Sequence, residues 1–598
     1  MKTKEIKISK TKDGRIPYLS EIIGEIPTNT IFCKTLTGLG ATYTEIKSKR
    51  HSIIVEPNVS TIESKESDLK HRGDNICPVY GEIKVDSIIR YIIESEGKFM
   101  KFLTTPESFH KIKSAFEDLD MIGNLYDDCF ILFDECHKII QDADYRKTIH
   151  LPLTDFFKFK QRAMVSATPI ELSDERFNNF TLLTINPQFD FRQELKVIFT
   201  NNTLADFREF ISNLKGTTVC IFLNSTEAIY SLMESTNIMG NSVVFCSDES
   251  VAKLKTTYKF NRAYSKFNVE KMAQFNFFTS RFYAGMDIIM NKQPDIILFS
   301  DLFLISHTML DPHTDIPQII GRFRNGIDSV THITNAVSGH VYVSRDDILR
   351  EIEILEHSYN RDKREYETTN NISEKRAYKR LIDSSPFNQY LDSDGKKSFS
   401  AIDNYINDNL TKNLYLSADS LQREYTSDEM LVRRFQTTVI NHHYRVGESD
   451  RLTIKRKSST ISKRKAITAM WDRFYPIESE VESEFVEMCR KEDPLIVEAL
   501  ELTSSEKVNV TRYSAPKLRK LIRDTKRLSP QVTDLVRDNF HVGNKYTLSD
   551  VKTKLKEIFS QCGLPTQGIT AQTLHSYFKC VKTTIKGKDA LLVFGNLP

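Results

Sequence analysis

The feature that most constrains this chain is a short apolar run, Cys129-Phe130-Ile131-Leu132-Phe133, closing on Asp134-Glu135-Cys136-His137. A run of that length reads as a buried strand. Two adjacent carboxylates at the tip of a buried strand are costly unless something positive sits there. A magnesium–nucleotide complex meets that need: the Asp holds the metal through its water shell, and the Glu polarises the attacking water.

Comparable runs recur at residues 30–33, 52–56, 99–104 and 162–166, each followed by a loop rich in Gly, Pro, Asp, Ser or Thr. With amphipathic stretches between them, they predict a parallel sheet flanked by helices over residues 1–190. Ligands of such sheets bind beyond the carboxyl ends of the strands, where the candidate motifs of this half fall. A second set at 217–223, 242–246, 275–279, 295–299 and 340–343 predicts a second sheet of the same class over residues 191–350.

The loop after the first run is Lys34-Thr35-Leu36-Thr37-Gly38-Leu39-Gly40-Ala41-Thr42. A phosphate loop needs glycines so that backbone N–H groups can wrap phosphate oxygens, then a Lys, then a hydroxyl for magnesium. Thr37, Gly38, Gly40 and Thr42 satisfy the pattern, but Ala41 stands where the lysine belongs. Three readings are open: Lys34 reaches the phosphates from the strand end, the site binds nucleotide and hydrolyses it poorly, or the loop is structural only.

Further elements follow in a fixed order: Val55-Glu56-Pro57-Asn58, Thr104-Thr105-Pro106-Glu107-Ser108, Ser166-Ala167-Thr168-Pro169, Phe222-Leu223-Asn224-Ser225, the stretch from Thr279 to Asp287, and Gln318-Ile319-Ile320-Gly321-Arg322-Phe323-Arg324. With the acidic box, this order resembles a superfamily 2 helicase of the DExH type. The resemblance covers about residues 30–330 and implies two RecA-like domains hydrolysing ATP with Mg2+ in the cleft between them. It implies catalytic roles for Asp134, Glu135, His137, Gln318, Arg322 and Arg324, with Arg322 the first choice of arginine finger. Lys34, Thr37, Gly38, Gly40, Thr42, Gly285 and Asp287 would hold the nucleotide, and Thr42 and Asp134 the metal. Thr105, Pro106, Ser166, Thr168, Asn224 and Thr279 would lie on nucleic acid, DNA more than RNA. The arginine motif departs from the family pattern: Ile319 replaces one arginine, Asn325 another, and Arg324 stands one residue early. No Gln precedes the phosphate loop, so base selectivity is open. The loop sequence and the Lys- and Asn-rich composition also resemble helicase-like proteins of bacteriophages and mobile elements.

Length bears on the remainder. At 598 residues the chain exceeds one core, and the reading divides it at 190, 350 and 540. Nine cysteines without a C-x-x-C pair exclude a disulfide framework or zinc knuckle and suit a reducing cytoplasm, the host's if the gene is a phage's. The apolar stretch near 296–305 is broken by Ser300 and Asp301 and is too short to span a bilayer. A net charge of +3 requires any nucleic-acid surface to be a local patch.

Residues 351–540 read as a helical accessory region. Its charged runs Arg361–Arg364 and Lys375–Arg380 read as solvated faces, its run 451–465 as phosphate contacts or a flexible basic linker, and Trp471 as core. Residues 541–598 predict a helix capped at Ser549 and stopped at Gly563, a second helix from Thr570 through Phe578, and a hairpin around Lys586-Gly587-Lys588-Asp589. This resembles a winged helix, with Gln572, Thr573, His575 and Ser576 facing a groove, Lys586 and Lys588 in the wing, and DNA or a protein as its partner. The alternative to a motor is a nucleotide-gated or inactive clamp that uses the same cleft without turnover.

Overall fold

The computed structural model describes residues 1–597 except 68–72, 144–145, 147–148, 150–151, 215, 284, 393 and 427–433. The chain divides into two units, Met1–His442 and His443–Pro598.

The first unit holds two parallel α/β sheets, the arrangement of two RecA-like domains. The first sheet comprises β1 (Lys2–Ile8), β2 (Thr30–Cys33), β3 (His51–Val55), β4 (Ile76–Val79), β5 (Lys101–Thr104), β6 (Cys129–Phe133), β7 (Gln161–Ser166) and β8 (Thr181–Pro187), in the order β1-β8-β2-β7-β6-β3-β5-β4. Every residue of β2, β5 and β6 is buried, as strands covered by helices on both faces are, and β6 is apolar throughout. Register sets up the site: Cys33 lies beside Ser166, Phe133 beside Met164, and Val55 beside Phe133. The residues leaving β2, β7, β6 and β3 therefore emerge side by side.

The second sheet comprises β9 (Gln193–Thr200), β10 (Val219–Phe222), β11 (Ser242–Phe245), β12 (Ala263–Tyr264), β13 (Phe275–Phe278), β14 (Asp295–Phe299), β15 (Ser329–Thr334) and β16 (Phe435–His442), in the order β12-β11-β13-β10-β14-β15-β9-β16. Two expectations are corrected. Residues 340–343 form no strand: Val341 and Tyr342 are exposed, and the sheet position goes instead to β15, whose inner residues are buried. The second domain also does not close at 350, because β16 pairs with β9 over its whole length.

Among the described residues no helix is long and apolar enough to cross a membrane. The nine cysteines are all free thiols.

The second unit has a helical core around Ile467, Trp471, Phe474, Phe485 and Leu500. The basic run 451–465 is no flexible linker. Most of it lies on helices Glu448–Lys455 and Thr460–Phe474, and three of its seven cations are paired: Arg451 with Glu484, Lys463 with Glu492, and buried Arg464 with Asp493 at 2.7 Å. A separate cluster starts at Val532, before the expected boundary at 541. It contains helices Pro530–Asn539 and Leu548–Gln561 and a three-stranded antiparallel sheet, β17 (Lys545–Thr547), β18 (Phe578–Ile585) and β19 (Lys588–Asn596), in the order β17-β19-β18. The N-cap of the second helix is Thr547, not Ser549, its side chain accepting from the Asp550 N–H at 3.2 Å. The hairpin turn is the two residues Lys586-Gly587, at φ +48° and +78°, the left-handed pair that a two-residue turn requires. The expected helix 570–578 is a 3-10 segment, Ala571–Ser576, because Phe578 already begins β18.

Candidate nucleotide site between the two sheets

The site is built on the aligned strand ends. Asp134 leaves β6 with its N–H on the Val55 carbonyl at 3.0 Å, and Glu135 follows at φ +46°. That left-handed region is uncommon for a residue with a side chain, and strain of this kind gathers at functional positions.

Lys34 continues β2, its N–H donating to the Ser166 carbonyl at 2.8 Å. Thr35 then turns at φ +60°, an unusual conformation for a β-branched residue, with its hydroxyl donating to the Ile185 carbonyl at 2.5 Å. The loop swings away and Lys34 keeps strand geometry. Its ammonium sits 3.3 Å from Asp134 Oδ1 and 3.3 Å from Glu135 Oε1, with all three side chains nearly sealed from solvent. Burial opposes the lysine's charge, yet the two carboxylates overcome it and raise its pKa above the ordinary range. Burial likewise opposes ionisation of Glu135, and Lys34 and Arg322 outweigh it, lowering its pKa.

Ala41 opens the helix Ala41–Lys47 and packs in an apolar cluster with Leu19, Leu39 and Ile46. A buried cation, Lys34, thus stands at the end of the preceding strand beside Asp134 and Glu135.

Thr42 donates to Asp134 Oδ2 at 2.5 Å and to Glu56 Oε1 at 3.1 Å. Glu56, 1% exposed at the end of β3, is a site residue that the motif reading passed over. Its signal was present: a carboxylate leaving a buried strand next to the one that bears Asp134. Burial first, and Asp134 second, push its carboxyl up to about 8. Thr42, Asp134 and Glu56 bring side-chain oxygens together, a chemistry that suits a hard cation such as Mg2+.

His137 Nδ1 lies 2.8 Å from Ser166 Oγ, and Ser166 Oγ is 3.4 Å from Glu135 Oε2. Burial, reinforced by Lys138, Lys34 and Arg322, holds the imidazole neutral with its pKa well below the usual value. Among the described residues its Nε2 is buried without a hydrogen-bond partner.

The second domain supplies the other wall. Gln318, on the helix Asp315–Ile320, donates through Nε2 to Glu135 Oε2 at 3.0 Å and to Thr168 Oγ1 at 3.2 Å. Arg322 is 5% exposed and donates to the Gln318 backbone carbonyl at 3.0 Å and to Gln318 Oε1 at 2.8 Å. It fixes the amide that reaches Glu135. Arg324 lies against the phosphate loop, where a Cβ on Gly38 would overlap its guanidinium, and it pairs with Asp287 at 2.6 Å. Thr37 is pressed against Gly321 in the same way. Gly38 and Gly40, at φ +76° and +79°, leave the loop backbone bare. Thr61 donates to the Gly285 carbonyl at 3.0 Å, so Gly285 meets the first domain but not the phosphate loop; its neighbour 284 lies outside the described residues.

Contacts from later in the chain also reach this cleft. Arg434, just before β16, donates to the Ala167 carbonyl at 2.6 Å inside the Ser-Ala-Thr tripeptide. Asn404, on the helix Phe399–Leu414, donates to the Ile140 and Gln141 carbonyls at 2.9 and 3.2 Å, and Asp403 accepts the Ser173 N–H. Gln141 in turn donates to Thr314 at 2.5 Å in the second domain. No local pattern marks these residues, because each acts on a backbone group or a side chain distant in sequence.

The positions expected on nucleic acid are placed as follows. Ser166 is 0% exposed and, with Thr168, belongs to the carboxylate network; Thr105 and Pro106 are buried at the end of β5. Thr279 is buried too. Asn224 is half-exposed, and its side-chain oxygen accepts the Ser280 N–H at 3.2 Å.

No protein-family model and no curated protein matches the chain. Among solved structures, the chain is similar to S. cerevisiae Dbp5 bound to RNA and ADP BeF3 (TM-score 0.34, 12% identity, 52% of this chain and 80% of that one). It is also similar to the ATP-dependent Type ISP restriction-modification enzyme LlaBIII bound to DNA (TM-score 0.36, 12% identity, 90% and 39%) and to a DEAD box protein from Methanococcus jannaschii (TM-score 0.28, 14% identity, 52% and 87%). At these scores the likeness adds nothing to what the strand order and the site geometry carry.

Proposed function

We propose that the chain is a nucleic-acid-dependent ATPase of the helicase or translocase kind, with its reaction centre between the two parallel sheets. The observation that carries this reading is Gln318 of the second domain donating to Glu135 beside the Lys34 ammonium. One hydrogen bond thereby couples the general-base candidate to the apposition of two domains.

The residues fit Mg2+–ATP: an all-oxygen donor set, a bare glycine loop, and three cations, Lys34, Arg322 and Arg324. Thr42 and Asp134 would hold the metal, and the loop, Lys34 and Arg324 the phosphates. Bound ATP supplies a phosphoryl group for transfer to water, and the metal neutralises its charge. Glu135 is kept ionised by Lys34 and is oriented by Gln318 and Ser166, as a base that accepts a proton from water must be. His137 stays neutral and ties Glu135 to the Ser-Ala-Thr segment. Arg322 holds Gln318 and approaches the carboxylates only when the domains meet.

DNA is the favoured substrate, and the resemblance to phage and mobile-element proteins supports replication or recombination as its setting. The order helix, β17, helix, 3-10 turn and hairpin supports a winged-helix-like end that binds nucleic acid or a protein. A second reading rests on Ala41: the cleft holds nucleotide as a clamp and does not turn it over. ATP hydrolysis with and without single-stranded DNA separates the two. Turnover that DNA stimulates and Glu135→Gln abolishes supports the motor. Nucleotide binding without turnover supports the clamp.

A further inference from the structure

With Thr105, Pro106, Ser166 and Thr168 covered, and a net charge of only +3, a nucleic-acid backbone needs a local basic patch beyond those four positions. One element of the first unit offers it. The helix Arg345–Thr368 opens on a capping box in which Ser344 and Asp347 bond each other's backbone N–H at 3.1 and 3.2 Å. It is anchored near that end by Ile348 and Ile352, which pack with Phe387, Tyr390, Ile402 and Ile406. Beyond Ile352 no residue of this helix is buried, nor is any residue of the returning helix Ile372–Asp383. At about 1.5 Å per residue, the free end stands roughly 24 Å past the last buried side chain.

The returning helix carries Lys375, Arg376, Lys379 and Arg380, all exposed. Their i, i+1, i+4, i+5 spacing lays them along one side. Among the described residues none of the four has an ion-pair partner. The adjacent Glu374 is engaged by Thr369, whose hydroxyl donates to Oε2 at 2.5 Å. Lys363 and Arg364 are exposed on the facing helix, followed by exposed Glu365 and Glu367, so the uninterrupted basic row is that of the returning helix. Like charges one turn apart repel, and a row of phosphates relieves that repulsion. Tyr366 and Tyr378 are half-buried, so the row offers charge without a stacking platform, which suits backbone contact rather than base reading.

We infer that the free end of this helical hairpin is an arm that binds the phosphate backbone of nucleic acid without regard to sequence. The inference rests on the nucleic-acid reading above.

The test is fluorescence anisotropy of the full-length protein with labelled single-stranded and duplex DNA over a salt series, comparing the parent with K375Q/R376Q/K379Q/R380Q. Glutamine keeps helix propensity. Removing four phosphate contacts reduces the slope of log affinity against log salt by about 3.6 for duplex and about 2.8 for single strands. ATP hydrolysis without DNA stays at the parental rate. If the fourfold variant fails to fold, K375Q/R376Q and K379Q/R380Q should each remove about half of that slope. Equal slopes in parent and variant overturn the arm and leave the nucleic-acid reading to another surface. A parent that binds no DNA at any salt overturns both, and an arm that captures an acidic protein instead would be the alternative.

Discussion

At the scale of single residues, Lys34 decides most. Its ammonium is buried between Asp134 and Glu135, so its removal leaves two carboxylates facing each other in the interior. Lys34→Ala should cut ATP turnover tenfold or more, about 1.4 kcal/mol of barrier, and should destabilise the fold by roughly 3 kcal/mol. Adding Glu135→Gln should restore part of the melting temperature without restoring turnover. A double variant as unstable as the single one would mean that the charges are not coupled. The sequence placed this lysine at the right strand end. It could not say which way the side chain points, because that depends on the reversal at Thr35, a positive-φ residue of a type that rarely adopts such a turn. Asp403 carries a second prediction. Burial raises its carboxyl from 3.8 to about 6. A carboxyl raised in the folded state stays protonated where the unfolded chain has already ionised. Its contribution is therefore full below about pH 3.8 and lost as pH rises through about 6, up to about 3 kcal/mol in all. Asp403→Asn mimics the protonated form. Its melting temperature should gain on the parent between about pH 5 and pH 7.5, by the equivalent of roughly 1 kcal/mol. Parallel pH profiles would remove Asp403 as the cause.

At the scale of elements, the two arginines of the helix end separate into different tasks. Arg322 holds Gln318 against Glu135, whereas Arg324 touches the phosphate loop at Gly38. Arg322→Ala should lower kcat by about 100-fold, near 2.7 kcal/mol, and Arg324→Ala should chiefly raise KM for ATP. Steady-state kinetics of both variants check this, and the reverse pattern would exchange the assignments. Elements with uniform apolar runs were legible from the sequence: residues 30–33, 129–133 and 295–299 are strands with the expected bounds. Those that alternate were not. β1 and β16 lie at sheet edges, and β1 is mostly exposed. An edge strand needs no continuous apolar run, so Lys2–Ile8 shows no strand signal until its partner β8 is known.

At the scale of the whole molecule, the unit boundary and the motif boundary differ. A chain ending at 442 keeps β16 on the second sheet and should unfold cooperatively near the temperature of that unit in the intact protein. A chain ending at 350 loses β16, Arg434 and the helix Phe399–Leu414, and should be markedly less stable or insoluble. Calorimetry of the two truncations decides, and equal stability would show that residues 351–442 are dispensable to the sheets. Motif order located the cleft because its residues sit at consecutive strand ends. It was silent on residues 351–442 because their links to the cleft run through backbone carbonyls, which leave no residue-type signature. The late origin of β16 has a consequence for synthesis. β9 joins the sheet only through β15, and about 100 residues separate β15 from the strand that covers β9, so at roughly 5–20 residues per second a ribosome leaves that edge open for roughly 5–20 s. Throughout that interval the nascent second sheet presents an unpaired template for its neighbours on the same message, and slow translation between β15 and β16 prolongs that exposure to aggregation.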